Sequence, residues 1–270
     1  MSDGSNEWGG SIPLVVALVR RERARTMLRG AFPRRKGRLV FARNVDDVVG
    51  SLRTSLVDAV VVDIAGPQEE TLKAVSLATE YPSVAFLAIS PMRAGDASAV
   101  ADCAHRDFAG TLVEGVDDSV ARDLVLRAAY SNRFARALAQ PPPSLALESP
   151  IQRKAWSIVV AHAGRPVRTS TLAAELNVTR EHLSRSFSAN GSPNLKRVID
   201  LVRVIAAAEL AKNPGLDIRD VAAVLGFASP SHLSTTSLRI AGPKPVSLTR
   251  LRTVDIVERF VRGHGRSRVV

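Results

Sequence analysis

The sequence predicts two domains: an α/β domain built on a five-stranded parallel sheet, followed by an all-α domain. Five short runs rich in β-branched residues alternate with helical patterns over the first half, which is typical of βαβ units in a parallel sheet covered on both faces. A proline-rich stretch then occupies 139–150, and only helical patterns and turns follow it. The length of 270 residues also favours two domains.

The first half contains the strand-like runs, each of about strand length. They are 14–19, 38–41, 58–63, 83–90 and 110–113, and the helices between and after them are predicted at 21–31, 45–54, 68–81, 96–106 and 117–138. Asn44 precedes two aspartates and is therefore predicted to cap the second helix. Residues 1–11 are polar and rich in Gly and Ser, so we expect a disordered tail before an α/β domain at 12–138.

The stretch AQPPPSLALESP at 139–150 is the clearest boundary. Three consecutive prolines cannot continue a helix and hold the chain extended. We therefore expect a linker here, a helical domain at 151–260 and a basic tail at 261–270.

The positive charge of the chain is concentrated in its second half. Residues 1–140 hold 18 Lys and Arg against 17 Asp and Glu, whereas residues 141–270 hold 19 against 9. Nearly all of the formal net charge of +11 therefore lies in the helical half. A basic domain favours a nucleic acid as partner; an Arg-rich composition of the whole proteome would explain many of the arginines but not their partition between the halves.

Several classes of protein are disfavoured. A single cysteine allows neither an intrachain disulfide nor a cysteine zinc cluster. The N-terminus lacks the pattern of a signal peptide, and no run approaches the length of a membrane span, so we expect a cytoplasmic protein without membrane contact. No nucleophile elbow, phosphate loop or dinucleotide fingerprint is present. We expect no enzyme activity, no catalytic residue, no cofactor and no metal.

Residues 172–187 have the pattern of a helix-turn-helix unit. Ala173 is small where two helices would cross, Asn177 tolerates a left-handed turn, and Thr179 is placed to cap the second helix. The apolar residues that would face inward are Leu172, Leu176, Val178, Leu183 and Phe187. The residues that would face a major groove are Arg180, Glu181, Ser184 and Arg185.

Residues 218–233 repeat this pattern. Ala222 takes the small position, Gly226 the turn, Ser229 the cap and Pro230 the first helical position, where a missing N–H costs nothing. The inward set is Val221, Leu225, Phe227 and Leu233, and the outward set is Ser231, His232, Ser234 and Thr235. Between the two units, 195–210 is predicted as a long helix that holds both reading helices toward successive major grooves, about 34 Å apart.

Together these units resemble the AraC-type family of bacterial transcription regulators over about 152–255. The stretches that carry the resemblance are Leu172–Thr179, His182–Phe187 and Val221–Ser229, with Gly242 and Pro245 at the family's later Gly…Pro stretch. The resemblance implies double-stranded promoter DNA as the partner. It places Glu181, Ser184 and Arg185 at base-reading positions of the first unit, and Pro230, Ser231, Ser234 and Thr235 at those of the second.

The second reading helix departs from the family pattern. Ser234–Leu238 stands where the family usually has an aromatic and basic residues, so we expect the first unit to supply most of the base contacts. Arg185 is the candidate for a guanine contact, with a phosphate contact as the alternative. Lys196 and Arg203 are expected to contact the DNA backbone.

The first half resembles a response-regulator receiver domain, which has a flavodoxin-like fold. That family binds Mg²⁺ through an acidic pair after the first strand and phosphorylates an Asp that ends the third. A Ser or Thr after the fourth strand and a Lys after the fifth sense the phosphoryl group. Asp63 and Ser90 match, but Arg20 and Arg21 stand at the acidic pair and Glu114 at the lysine.

Arginines at the metal's carboxylate positions predict poor Mg²⁺ binding and therefore poor phosphoryl transfer to Asp63. We expect an arginine to pair with Asp63 instead and to imitate the activated charge state. A plain strand-end aspartate that forms a turn is the alternative.

The sequence thus favours a sequence-specific DNA-binding regulator with an atypical receiver-like domain. An α/β enzyme fused to a helical domain lacks any supporting motif. A pseudo-receiver interaction module, with weakened or lost DNA reading, stays open because the second reading helix is uncharged over 231–238 apart from His232. RNA polymerase and a second copy of the chain, joined through the N-terminal domain, are further expected partners.

Overall fold

The computed structural model describes residues 12–66, 68–188 and 191–266. It divides into an α/β unit, comprising 12–133 and 212–216, and a helical unit, which contains 134–211 and the chain from 217 onward. The predicted tail at 1–11 lies outside the described residues, as do positions 267–270 of the predicted basic tail.

The α/β unit is built on five parallel strands in the order β2-β1-β3-β4-β5. The strands are β1 Leu14–Leu18, β2 Arg38–Phe41, β3 Ala59–Asp63, β4 Ala85–Ser90 and β5 Gly110–Val113. This is the strand order of flavodoxin-like doubly wound folds, and it confirms the predicted receiver-like sheet. Every residue of β1, β3 and β4 is buried, as expected for strands covered on both faces.

Helices cover both faces of this sheet. They are α1 Glu22–Ala31, α2 Val45–Thr54, α3 Gln68–Glu80, α4 Ala97–His105 and α5 Ala121–Ala128. A further helix, α6 Tyr130–Ala137, follows, and from Phe134 onward it belongs to the helical unit. One apolar cluster joins α1 and α5 to one side of the strands, and another joins α2, α3 and α4 to the other side. Asn44 caps α2 as predicted, because its side chain accepts a hydrogen bond from the Asp47 N–H at 2.9 Å.

The prediction of a single helix at 117–138 is wrong, because the helix is interrupted between α5 and α6. Ala129 is extended, with ψ 143, and buried Asp58 satisfies the backbone beyond the break. The Asp58 carbonyl accepts from the Tyr130 N–H at 2.9 Å, and its carboxylate accepts from both the N–H and the hydroxyl of Ser131. The helical spacing of apolar residues continues past Ala129. The local sequence pattern therefore cannot reveal a helix cap that is supplied by a residue distant in sequence.

The helical unit surrounds one central helix, α10 Leu195–Leu210, at the bounds predicted. The other helices are α7 Pro150–Ala161, α8 Thr169–Glu175, α9 Arg180–Ser188, α11 Ile218–Val224, α12 Pro230–Ala241, α13 Pro245–Leu248 and α14 Thr253–Arg266. Thirteen residues of α10 are buried, since it packs against α7 and α9 on the one hand and α11 to α14 on the other. Residues 261–266, predicted as tail, continue α14.

The segment predicted as a linker belongs to the helical unit. A 3-10 turn at Pro143–Leu145 packs against α14, and Leu145 and Leu147 are buried. The burial of Leu145 and Leu147 therefore holds this stretch within the helical unit, although its prolines predicted only an extended connection. Each helix of the described ranges is too short or too polar to cross a membrane.

Candidate functional sites

The first helix-turn-helix unit consists of α8, a tight turn and α9. Asn177 adopts the predicted left-handed conformation, with φ 53. Its N–H donates to the Ala174 carbonyl at 3.1 Å, and the next N–H, of Val178, donates to Ala173 at 3.0 Å. The Thr179 hydroxyl then caps α9 by accepting from the His182 N–H at 3.1 Å.

The second unit, α11 to α12, repeats these contacts. Gly226 has φ 60, and its N–H donates to the Ala223 carbonyl at 3.0 Å. The Ser229 hydroxyl caps α12 through the His232 N–H at 3.0 Å. Gly226 precedes its cap by three residues whereas Asn177 precedes Thr179 by two, so the second turn is longer by one residue. Measured from their caps, Arg185 of α9 and Thr235 of α12 occupy the same position.

The outward faces of the two reading helices differ in chemistry. On α9 the side chains Arg180, Glu181, Ser184 and Arg185 are all exposed. On α12 Ser231 and Thr235 are exposed and Ser234 is half-buried, while the Thr235 hydroxyl donates to carbonyls of its own helix, at Ser231 and His232. The sequence reading did not identify Leu238, which continues this face and is 45% exposed. Its spacing from Ser231 and Thr235, seven and three residues, was the available signal.

Arg203 is placed contrary to the expectation of a DNA backbone contact, whereas Lys196 is exposed on α10. Arg203 is 8% exposed and its guanidinium donates to three carbonyl oxygens, those of Gly164 at 3.3 Å, Leu225 at 3.0 Å and Gly226 at 3.3 Å. It also stacks on the Phe227 ring, 3.8 Å from the centroid. Burial lowers the pKa of this group. Arg203 therefore fastens the second turn to α10 from inside the domain and is not available to a phosphate.

The residues at the receiver-type positions meet at the carboxyl edge of the sheet. Arg21 makes a bidentate pair with Asp63: its Nη2 lies 2.7 Å from Oδ1, and its Nε lies 3.0 Å from each carboxylate oxygen. The other guanidinium nitrogen, Nη1, forms an ion pair with Glu114. The side chains of Asp63 and Glu114 are 4% and 2% exposed, and that of Arg21 is 25% exposed. One cation thus bridges two buried carboxylates.

Two other residues of this edge have partners other than Asp63. Arg20 pairs with Glu70, with Nη2 2.7 Å from Oε2, and its side chain is 57% exposed. The hydroxyl of buried Ser90 donates to Asp96 at 2.6 Å, and this bond lowers the pKa of the Asp96 carboxyl. The five predicted residues therefore share an edge of the sheet, but only Arg21, Asp63 and Glu114 form one cluster.

The donor set at this edge does not fit a magnesium ion. Mg²⁺ in proteins is held by carboxylate oxygens and water, but here the carboxylates of Asp63, Glu114 and Glu70 are already paired with arginines. Burial alone would lower the pKa of Arg21, and the hydrogen bonds and negative charges of Asp63 and Glu114 outweigh it, so the net shift is upward. The guanidinium therefore stays charged at physiological pH.

The family match found by comparison with known proteins lies mainly in the helical unit. Residues 172–250 match the family model of a helix-turn-helix domain, a range that includes both reading helices. Helix-turn-helix domains are a kind of domain with which transcription regulators bind DNA. No curated protein matches the chain. Among solved structures, full-length FixJ from B. japonicum is similar at 12% identity, with 70% of this chain and 95% of that chain covered and a TM-score of 0.37.

Proposed function

We propose that this chain is a sequence-specific DNA-binding transcription regulator whose receiver-like unit works without Mg²⁺-dependent phosphorylation. The observation that carries the proposal is the pair of capped helix-turn-helix units, each with its reading face exposed. The excess of basic residues in this half supplies the charge that a polyanion requires. The function is one of binding rather than catalysis.

The base-reading residues in this proposal are those of α9 and α12. Arg185 donates to a guanine edge, while Glu181 and Ser184 contact neighbouring bases and Arg180 and Lys196 neutralise phosphates. Ser231, Ser234 and Thr235 complete the contacts of the second unit.

RNA polymerase follows as a proposed partner from the regulatory role. Exposed Val116 and Val120, just before α5, support a proposed second copy at the α/β unit.

The function is tested by selecting duplexes from a random-sequence library with the full chain and measuring affinity for them over a salt series. A regulator of this kind binds a consensus, and log K falls with log salt by about 0.9 for each phosphate contacted. Scrambled duplexes of equal length serve as the control. Absence of binding even at low salt would favour the alternative, an interaction module that no longer reads DNA.

Replacing Arg185 with alanine is expected to weaken binding to the selected duplex by about 1–3 kcal/mol and to relax the preference at one base pair. The reason is that a bidentate contact to guanine O6 and N7 is lost. Fluorescence anisotropy with duplexes altered one pair at a time measures both effects, and Lys196→Ala is the matched control for a phosphate contact. An equal loss on all sequences would assign Arg185 to a phosphate instead.

The receiver-like unit is expected to remain unphosphorylated when the chain is incubated with acetyl phosphate and Mg²⁺. Asp63 is bonded to Arg21 through both oxygens, and the metal that offsets charge in phosphoryl transfer has no free carboxylates here. Intact mass spectrometry, with an established receiver protein in parallel as a positive control, gives the readout. An aspartyl phosphate at Asp63 would overturn this part of the proposal.

A further inference from the structure

The outward face of α12 is a stripe of small and apolar side chains. Ser231, Thr235 and Leu238 lie on one side of the helix, opposite the buried Leu233, Ser237 and Ile240. Leu238 is 45% exposed, whereas Leu233 and Ile240 of the same helix are buried. The Thr235 hydroxyl donates within its own helix, so its hydrogen is already used, and Thr235 also carries a methyl group that can make an apolar contact.

The positive charge of this helix is directed elsewhere. Arg239 is the only Lys or Arg of α12, and its Nη2 lies 2.6 Å from Oδ2 of Asp200 on the central helix. The equivalent face of α9 carries Arg180 and Arg185, both exposed. The two reading helices therefore offer different chemistry from the same position in their units, guanidinium groups in the first and methyl groups in the second.

The major groove contains one apolar group on its base edges, the C5-methyl of thymine, and threonine methyl groups and other apolar side chains contact it. We infer that α12 reads thymine methyl groups, with Leu238 and Thr235 as the contacting residues and Ser231 alongside them. The inference rests on the proposed DNA-binding function and specifies it further. The target is then asymmetric, with guanine read by α9 and thymine read by α12.

The test replaces thymine with uracil, one position at a time, in the duplex selected with the full chain. This removes a single methyl group and leaves base pairing and hydrogen-bonding groups unchanged. At the thymines of the subsite read by α12 we expect the dissociation constant to rise about fourfold per methyl group, the effect of one buried methyl on affinity. With Leu238→Ala the same substitution should have little further effect, because the contacting partner is already gone.

Val254→Ala is the matched control, since Val254 is a 50% exposed aliphatic residue of α14 outside the reading face. It should retain the full response to uracil. If the chain binds its consensus but no thymine in either subsite responds to uracil, the inference is overturned while the proposed function stands. The inference is also overturned if uracil weakens binding of Leu238→Ala as much as it weakens binding of the unaltered chain. The same holds if Leu238→Ala changes only the oligomeric state, as measured by analytical sedimentation. Loss of all DNA binding by the unaltered chain overturns the proposed function itself.

Discussion

Replacing Arg203 with alanine is expected to lower the free energy of unfolding of the helical unit by about 3 kcal/mol. The substitution leaves carbonyls of Gly164, Leu225 and Gly226 without their donor, and each buried, unsatisfied polar group costs about 1–3 kcal/mol before relaxation. It also removes the guanidinium from the Phe227 ring. Because two of the carbonyls belong to the turn before α12, that turn loses its hydrogen bonds to α10.

Trp156 offers a probe that is specific to the helical unit. It is fully buried, and its indole N–H donates to the Leu138 carbonyl at 2.8 Å. The second tryptophan, Trp8, is replaced by phenylalanine in the background used for every variant. Urea unfolding followed by Trp156 fluorescence then gives the free energy of this unit. Lys196→Ala, at an exposed position of the same helix, should change it by no more than about 0.5 kcal/mol.

The opposite result would assign Arg203 to DNA binding rather than to the stability of the helical unit. If Arg203→Ala unfolds like the unaltered chain but binds DNA with a shallower salt dependence, the side chain reaches a phosphate, as sequence reasoning alone had suggested. Sequence position could not distinguish these roles, because the helical period places Arg203 beside apolar neighbours without indicating which carbonyls lie opposite it.

Features with local causes were predictable. Asn177 and Gly226 mark the two left-handed turns, Thr179 and Ser229 the caps, and the bounds of α10 follow from its apolar period. Features with distant causes were not. The break at Ala129 depends on Asp58, far away along the chain, and no pattern within 117–138 could have revealed it.

The charge cluster of the α/β unit lies between these cases. Matching the receiver pattern placed Asp63, Arg21 and Glu114 at one edge of the sheet and predicted an arginine on Asp63. It could not decide between Arg20 and Arg21, which are adjacent in sequence and project in different directions. In the structure Arg20 pairs with Glu70, whereas Arg21 pairs with both buried carboxylates, those of Asp63 and Glu114.

Arg21→Ala is expected to destabilise the α/β unit by about 3–5 kcal/mol at pH 8, the typical cost of removing one partner from a buried ion pair. Asp63 and Glu114 would then remain in a buried site as two like charges, with only the largely exposed Arg23, whose Nε lies 4.0 Å from Glu114 Oε2, as a nearby cation. Protonation of one carboxylate relieves both the repulsion and the burial of charge. The destabilisation should therefore be smaller at pH 5 than at pH 8, since the variant gains stability relative to the unaltered chain as protons bind to its folded state.

Urea unfolding at both pH values, with hydrogen exchange read from peptides of β1, β3 and β5, measures this difference in the unit concerned. Arg20→Ala is the matched control: the Arg20 side chain is 57% exposed, against 25% for Arg21, so the expected loss is smaller, about 1 kcal/mol at either pH. Adding Asp63→Asn to Arg21→Ala should restore part of the stability at pH 8, because one of the two like charges is then absent. A loss of equal size at both pH values, without recovery by Asp63→Asn, would mean that Arg21 acts through packing of its aliphatic stem and not as the cation that holds this site closed.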